Sequence, residues 1–124
     1  EILSGLVGSE MCIRDRCCGE PNILGWDILR NHATAFVSCP DWVTARGMRT
    51  LGAPEKGDPR VISGESGAVT TGLVETLMLD PEYAELKELI GLDKTSSVLC
   101  FSTEGDTDPD QYRRIVWEGE YPTC

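Results

Sequence analysis

The stretch from Ser97 to Asp108 constrains the fold of this sequence more than any other. Its first five residues, SVLCF, are an apolar run that favours β-structure, and the run stops at Ser102 and Thr103. The turn EGDTD, with a glycine and three acidic residues, follows directly. Such a pattern is typical of the carboxyl end of a buried parallel strand, where α/β folds place ligand sites. We therefore predict a strand over residues 97–101, with the Ser102 hydroxyl facing a ligand.

The rest of the chain alternates between helical and β-like patterns. Helices are predicted over residues 23–31, 40–51, 80–91 and 110–117, another helix follows the turn at residues 63–68 and runs to about residue 79, and a second short β-run covers residues 35–38. Asn22, Asp80 and either Asp108 or Asp110 are the predicted helix caps. This order favours an α/β fold with helices flanking a parallel sheet. Two or three short strands make a poor sheet alone, so we expect an incomplete sheet and a fragment of a larger protein.

Charge and composition limit the classes of partner. The net charge of −10 argues against nucleic acids and anionic membranes. No apolar run approaches the roughly 20 residues that a membrane span needs. The six cysteines form no CxxC pair and His32 is the single histidine, so we predict no metal site. Most cysteines are expected to be reduced and buried.

The first sixteen residues, EILSGLVGSEMCIRDR, differ from the rest because they show no helical or strand periodicity. They resemble a translated sequencing adapter, in which a transposon end accounts for residues 6–16 and a flow-cell end with its index for residues 1–5. We therefore predict that residues 1–16 are not native, and that residues 17–124 are the C-terminal fragment of a longer protein. The alternative is a genuine N-terminal leader.

The segment SGESGA, residues 63–68, is a turn of small residues that leads into a helix. Its glycines allow the backbone to approach a ligand or another element closely. A glycine-rich helix start can bind an anion, but the carboxylate of Glu65 disfavours phosphate. Glu65 therefore either stabilises the helix N-terminus or faces an active site.

The acidic turn after Ser102 has three other interpretations. It is a solvated cap of the last helix, a cation site, or the neighbourhood of a serine nucleophile. Asp106, Asp108 and Asp110 alternate as in a calcium loop, but the glycine and distal glutamate of an EF-hand are missing. A serine nucleophile lacks both a suitable base and a Gly-x-Ser-x-Gly motif. The three tryptophans are predicted to anchor the core.

Five motifs carry a resemblance to a known family, which goes beyond the reasoning above. They are CGEPN (residues 18–22), GWDILRN (25–31), DPRVISGESGAV (58–69) and STEGDTD (102–108), with YRRIVWEG (112–119) behind them. With these motifs the chain resembles the diaminopropionate ammonia-lyases, which are fold-type-II pyridoxal-phosphate enzymes similar to the tryptophan synthase β subunit. The resemblance implies an α,β-elimination that converts 2,3-diaminopropionate to pyruvate and ammonia.

The resemblance also implies roles for particular residues. Ser102 would bond the pyridine nitrogen of the cofactor, pyridoxal 5′-phosphate, with Thr103 beside it and Glu65 near the same edge of the ring. A neutral hydroxyl leaves the ring less electron-withdrawing than a carboxylate would, which suits β-elimination. Glu20, Ser66 and Asp106 are predicted to border the site.

No catalytic residue is expected in this fragment. The Schiff-base lysine and the glycine-rich phosphate loop of the family lie upstream, and Lys56, Lys87 and Lys94 lack an apolar setting that would suit them to imine chemistry. The fragment itself is therefore predicted to be inactive. For the full-length enzyme we expect an amino-acid substrate, a homodimer and a cytoplasmic location. The alternatives are a threonine dehydratase-like lyase and a non-catalytic binding or interface domain.

Overall fold

The structure of the protein is a computed structural model that describes residues 22–122. The chain divides into two compact units at Ser38 and Cys39. The first unit contains α1 (Ile23–His32). The second contains α2 (Asp41–Gly52), α3 (Glu65–Leu79), a 3-10 turn (Pro81–Tyr83), α4 (Ala84–Leu89) and α5 (Pro109–Val116).

The predicted α/β fold is wrong for the described residues, because residues 22–122 contain helices, turns and loops but no strand. A strand exists only when its backbone bonds to a neighbouring strand. Neither residues 35–38 nor residues 97–101 has such a neighbour within this part of the chain. The run expected to be buried is also open to solvent, since Val98, Leu99 and Phe101 are 49%, 77% and 71% exposed.

Helix α1 begins and ends as its sequence predicts. The Asn22 side-chain oxygen accepts hydrogen bonds from the backbone N–H groups of Leu24 and Gly25, at 3.0 and 3.2 Å. These bonds satisfy two donors that have no partner within the helix, so Asn22 is the predicted N-cap. Within this unit the rings of Trp26 and Phe36 lie 6.4 Å apart.

The core of the second unit lies where α2 meets α3 and α5. Ala45 and Met48 of α2 pack against Ala68 of α3 and against Tyr112 and Ile115 of α5, and all five are buried. Helices α2 and α3 approach unusually closely because glycines face each other across the contact. A Cβ atom on Gly72 would lie 2.9 Å from the backbone nitrogen of Gly47.

Helix α2 is joined to the end of α3 by Arg46. Its guanidinium donates hydrogen bonds of 2.6 and 3.3 Å to the two carboxylate oxygens of Asp80 and one of 3.0 Å to the Thr76 hydroxyl. The bond to Asp80 raises the pKa of Arg46 above its ordinary value. Asp80 occupies the predicted N-cap position before Pro81, but its side chain faces Arg46 and makes no capping hydrogen bond.

Helix α5 has one of its two predicted caps, Asp108, but Trp117 at its end is not buried as predicted. The Asp108 carboxylate accepts a 3.1 Å hydrogen bond from the backbone N–H of Gln111, and Pro109 occupies the first helical position. Asp108, rather than Asp110, is therefore the cap. Trp117, predicted to anchor the core, is 73% exposed because it lies past the end of the buried face of α5.

Candidate functional site: a hydroxyl pair at the start of helix α3

The first turn of α3 is bound by the loop that follows Ser102. Helix N-termini leave backbone N–H groups without a partner inside the helix, and the N-cap, Gly64, has no side chain to supply one. The Glu104 carboxylate accepts a 2.8 Å hydrogen bond from the backbone N–H of Ser66. The Glu104 carbonyl accepts another, 3.1 Å long, from the N–H of Gly64. Glu104 thus caps α3 from a distant part of the sequence.

Two hydroxyl groups meet beside this cap. The Oγ atoms of Ser63 and Ser102 lie 2.8 Å apart, within hydrogen-bond distance. The residues differ in accessibility: Ser63 is 1% exposed, whereas Ser102 is open to solvent. The Ser102 hydroxyl also lies 3.3 Å from the carbonyl oxygen of Glu104. A buried hydroxyl therefore supports an accessible one, which can reach a ligand.

Glycine is required where α3 faces this pair. A Cβ atom on Gly67 would lie 2.9 Å from the Ser102 Oγ and 3.1 Å from the Thr103 nitrogen, and would also collide with the Ser63 Oγ. A Cβ atom on Gly64 would lie 2.5 Å from the carbonyl oxygen of Gly105. The expectation that these glycines allow close approach is confirmed, and the approaching element is the loop over residues 102–105.

The structure brings together most of the predicted site residues. Ser102 and Thr103 lie against the start of α3, where Glu65 and Ser66 are the first two helical residues. Asp106 is exposed in the loop beyond Glu104. Glu20 lies outside the described residues.

Sequence reasoning missed two residues of the site: Ser63 and Glu104. Ser63 and Glu104 lie in the motifs SGESGA and STEGDTD, but only the fold places these two motifs side by side. A useful signal was present, because each motif combines hydroxyl residues, a glycine and a glutamate at the end of an apolar stretch.

The electrostatics of the helix start disfavour a phosphate. The Ser66 N–H already binds the Glu104 carboxylate, and Glu65 adds a second carboxylate in the first turn. The site therefore disfavours an anion and suits a group that forms a hydrogen bond with the Ser102 hydroxyl.

Within residues 22–122, no three His, Cys, Asp or Glu side chains gather as they would around a metal ion. In the same part of the chain, no helix has the length and apolar character that crossing a bilayer requires.

Comparison with known proteins gives strong matches to one kind of enzyme, although no family model matches the chain. Diaminopropionate ammonia-lyase of Escherichia coli K12 is 52% identical over 117 residues, which cover 93% of this chain and 29% of the relative. The lyase of Salmonella typhimurium LT2 is 48% identical over 103 residues, 82% of this chain and 26% of the relative.

Solved structures of the Escherichia coli lyase agree with these sequence matches. The complex with D-serine has a TM-score of 0.81 and 54% identity over 86% of this chain and 27% of that chain. The complex with an aminoacrylate-PLP azomethine reaction intermediate has a TM-score of 0.80 and 54% identity, over 86% of this chain and 28% of that one.

The fold and the sequence that this chain matches are those of an ammonia-lyase. The predicted resemblance to diaminopropionate ammonia-lyase is confirmed at about half identity over most of the chain. The chain spans between a quarter and a third of the length of these relatives.

Proposed function

We propose that this chain is the part of a diaminopropionate ammonia-lyase that holds the ring nitrogen of pyridoxal phosphate. The complete protein would convert 2,3-diaminopropionate and water to pyruvate and two molecules of ammonia. When bound, the cofactor withdraws electrons from the amino-acid Cα atom, which makes its proton acidic and allows the β-amino group to leave. The observation that carries this proposal is the accessible Ser102 hydroxyl, fixed by Ser63 beside the start of α3.

The residues of this chain have distinct parts in the proposal. Ser102 holds the ring at its nitrogen, and Thr103 follows in the same loop. Glu104 fixes this loop on α3 through Ser66 and Gly64, so the hydroxyl stays in place. Glu65 lies in the first turn of the same helix and faces the edge of the ring. The remaining border residues would be Ser66, Asp106 and Glu20.

The chemistry of this site favours a neutral ring nitrogen. A serine hydroxyl cannot protonate a pyridine as a carboxylic acid can, since its pKa is far higher. The ring then withdraws electrons moderately, which is sufficient for an elimination with a departing β-substituent. The nearby carboxylates of Glu65 and Glu104 are engaged at the helix start, where the helix dipole stabilises their charge.

The reacting lysine is proposed to come from outside residues 17–124. Lys56 lies in the loop between α2 and α3, Lys87 lies in α4, and Lys94 lies in the turn after α4. The isolated chain should therefore give no imine absorbance band with pyridoxal phosphate. A band whose reduction with borohydride labels one of these lysines would refute this part.

The test of the proposed function is an assay of the full-length protein that contains this chain. With 2,3-diaminopropionate it should release pyruvate and ammonia, lose this activity when the cofactor is removed, and regain it when pyridoxal phosphate is returned. Threonine, which a threonine dehydratase-like enzyme would convert to 2-oxobutyrate, is the control substrate. Faster turnover of threonine, or no release from either substrate, would overturn the proposal.

We propose two further features of the complete enzyme from the resemblance that its sequence motifs carry. It would be a homodimer, which light scattering of the purified protein tests, and it would act in the cytoplasm, which fractionation of the source cells tests.

A further inference from the structure

We infer that Ser63 is a positioning residue that turns the Ser102 hydroxyl into an outward-facing hydrogen-bond donor. This inference deepens the proposed function and rests on it, because the acceptor is the ring nitrogen of pyridoxal phosphate. Ser63 itself is buried beneath Ser102 and acts on the ring only through that residue.

The two hydroxyl protons can be arranged in two ways. In the first, Ser63 donates to the Ser102 Oγ atom, and the proton of Ser102 is directed elsewhere. In the second, Ser102 donates to Ser63, and Ser63 donates to the carbonyl oxygen of Gly64, which lies 3.3 Å away. Only the first arrangement leaves Ser102 with a proton for a ligand.

Burial favours the first arrangement. Ser63 is 1% exposed, so its proton must be satisfied within the protein, and the available bonds are 2.8 Å to Ser102 or 3.3 Å to Gly64. The longer bond is weaker, and its acceptor already receives the helical N–H of Ala68 at 3.0 Å. Ser102 is exposed and can donate to solvent or to a ligand without such a cost.

Competition from the protein for the Ser102 proton is weak. Ser102 donates to the Glu104 carbonyl at 3.3 Å, a long hydrogen bond whose acceptor also receives the N–H of Gly64. A ring nitrogen at normal hydrogen-bond distance would be the better acceptor. The bond that Ser102 accepts from Ser63 also polarises the Ser102 O–H group and strengthens its donation.

Gly67 makes this arrangement possible. Any side chain at this position would meet both hydroxyl oxygens, so the pair requires the bare face of α3. Ser63, Ser102 and Gly67 therefore act as one unit, of which the resemblance alone implied only Ser102.

The test uses the full-length protein loaded with pyridoxal phosphate that carries ¹⁵N in its ring, and its readout is the ¹⁵N chemical shift. The wild-type signal is expected at the position of a neutral, hydrogen-bonded pyridine nitrogen. Ser102→Ala should move it fully to the position of a nitrogen with a free lone pair. Ser63→Ala should move it part of the way in the same direction.

A second variant separates donation from packing and guards against misfolding of the first. Ser63→Cys has a similar shape but is a weak donor, so it should behave as Ser63→Ala does. If Ser63 only filled space, the cysteine variant would keep the wild-type signal. The control is Ser96→Ala in the exposed turn after α4, which should leave the signal unchanged.

The outcomes distinguish failure of the inference from failure of the proposed function. A wild-type signal in both Ser63 variants, together with a shifted signal in Ser102→Ala, overturns the role of Ser63 alone. An unmoved signal in Ser102→Ala overturns the ring contact as well. Failure of the full-length protein to bind pyridoxal phosphate overturns the proposed function and this inference together.

Discussion

The hydroxyl oxygens of Ser63 and Ser102 lie 2.8 Å apart although the two residues are separated by 39 positions in the sequence. One is buried and the other is accessible, so the pair joins the interior of the second unit to a surface that can meet a ligand. The loop over residues 102–105 and the first turn of α3 are therefore one structural feature. A substitution on either side of this contact should therefore alter the other side.

The close approach at Gly67 predicts a loss of stability when a methyl group is added. Gly67→Ala places a Cβ atom 2.9 Å from the Ser102 Oγ and 3.1 Å from the backbone nitrogen of Thr103, so the loop must move. We expect the free energy of unfolding to fall by about 1–3 kcal/mol, measured by urea denaturation of the full-length protein.

Gly105→Ala is the matched control for this change. It lies in the same loop, but no atom lies within 4 Å of its added Cβ. The control should leave the unfolding midpoint near that of the wild type. Equal stability of the Gly67 and Gly105 variants would contradict the packing described here.

The contact between α2 and α3 predicts a larger effect at Gly72. An added Cβ there would collide with the carbonyl oxygen of Val43 and lie 2.9 Å from the nitrogen of Gly47, so the two helices would have to separate. Gly72→Ala should cost about 3 kcal/mol of unfolding free energy.

Gly25→Ala is the comparison for Gly72, because it also adds a methyl group within a helix. Its nearest neighbouring atom is 3.9 Å away. Alanine favours the helical backbone over glycine, so this change should be neutral or stabilise α1 by roughly 0.5–1 kcal/mol. A Gly72 variant as stable as the Gly25 variant would show that the helices do not approach as described.

The geometry at Arg46 predicts that lysine cannot replace it. Its guanidinium bonds both oxygens of Asp80 and the hydroxyl of Thr76, and it also lies over the Trp42 ring at 5.9 Å. A lysine ammonium cannot reproduce this forked arrangement. In a thermal denaturation, Arg46→Lys should therefore lower the free energy of unfolding by about 1–2 kcal/mol. Arg30→Lys, in an exposed pair with Asp27, should have almost no effect, and equal losses in the two variants would refute the argument.

The turn over residues 93–96 predicts a local pH dependence. The Thr95 side chain and backbone donate hydrogen bonds to the Asp93 carboxylate and lower its pKa below the ordinary 3.8. The contribution of this carboxylate to the stability of the turn is therefore present above pH 3.8 and is lost as the pH falls through its lowered pKa.

Thr95→Val removes the hydrogen bond from the Thr95 side chain, which lowers the pKa of Asp93 more than the bond from the Thr95 backbone does. The pKa of Asp93 should therefore rise toward 3.8. The measurement is an NMR titration of the Asp93 carboxyl carbon. Superimposable titration curves for the wild type and the variant would show that the threonine hydroxyl does not stabilise the charged form.

Local features of the fold were predictable because their causes are local. Asn22 caps α1, Asp108 and Pro109 start α5, and Gly91, at a φ of +70°, follows the end of α4. Each of these depends on side chains or backbone preferences within a few residues. The limits of α1 and α5 therefore follow closely from the sequence, whereas the helix predicted over residues 80–91 is divided into a 3-10 turn and the shorter α4.

The prediction of strands was wrong because a β-strand forms only beside a neighbouring strand. An apolar run such as residues 97–101 has the composition of a strand, but it becomes one only when another strand bonds to it. Within residues 22–122 that partner does not exist.

Only part of the candidate site was predictable, because its arrangement depends on two motifs that meet in space. The resemblance drew attention to Ser102, Thr103 and Glu65, whereas Ser63 and Glu104 became visible only when the two motifs met in space. Asp80 shows the same limit, since its sequence setting predicted a cap and its tertiary partner, Arg46, determined its side-chain position.

The central claim is that Ser102 holds the ring nitrogen of pyridoxal phosphate, and the affinity for this cofactor tests it most directly. In the full-length protein, Ser102→Ala removes one hydrogen bond of about 0.5–1.5 kcal/mol and should raise the dissociation constant for pyridoxal phosphate roughly twofold to tenfold. Ser102→Thr keeps the hydroxyl and should bind the cofactor almost as the wild type does. A dissociation constant for Ser102→Ala that equals the wild-type value would contradict the claim.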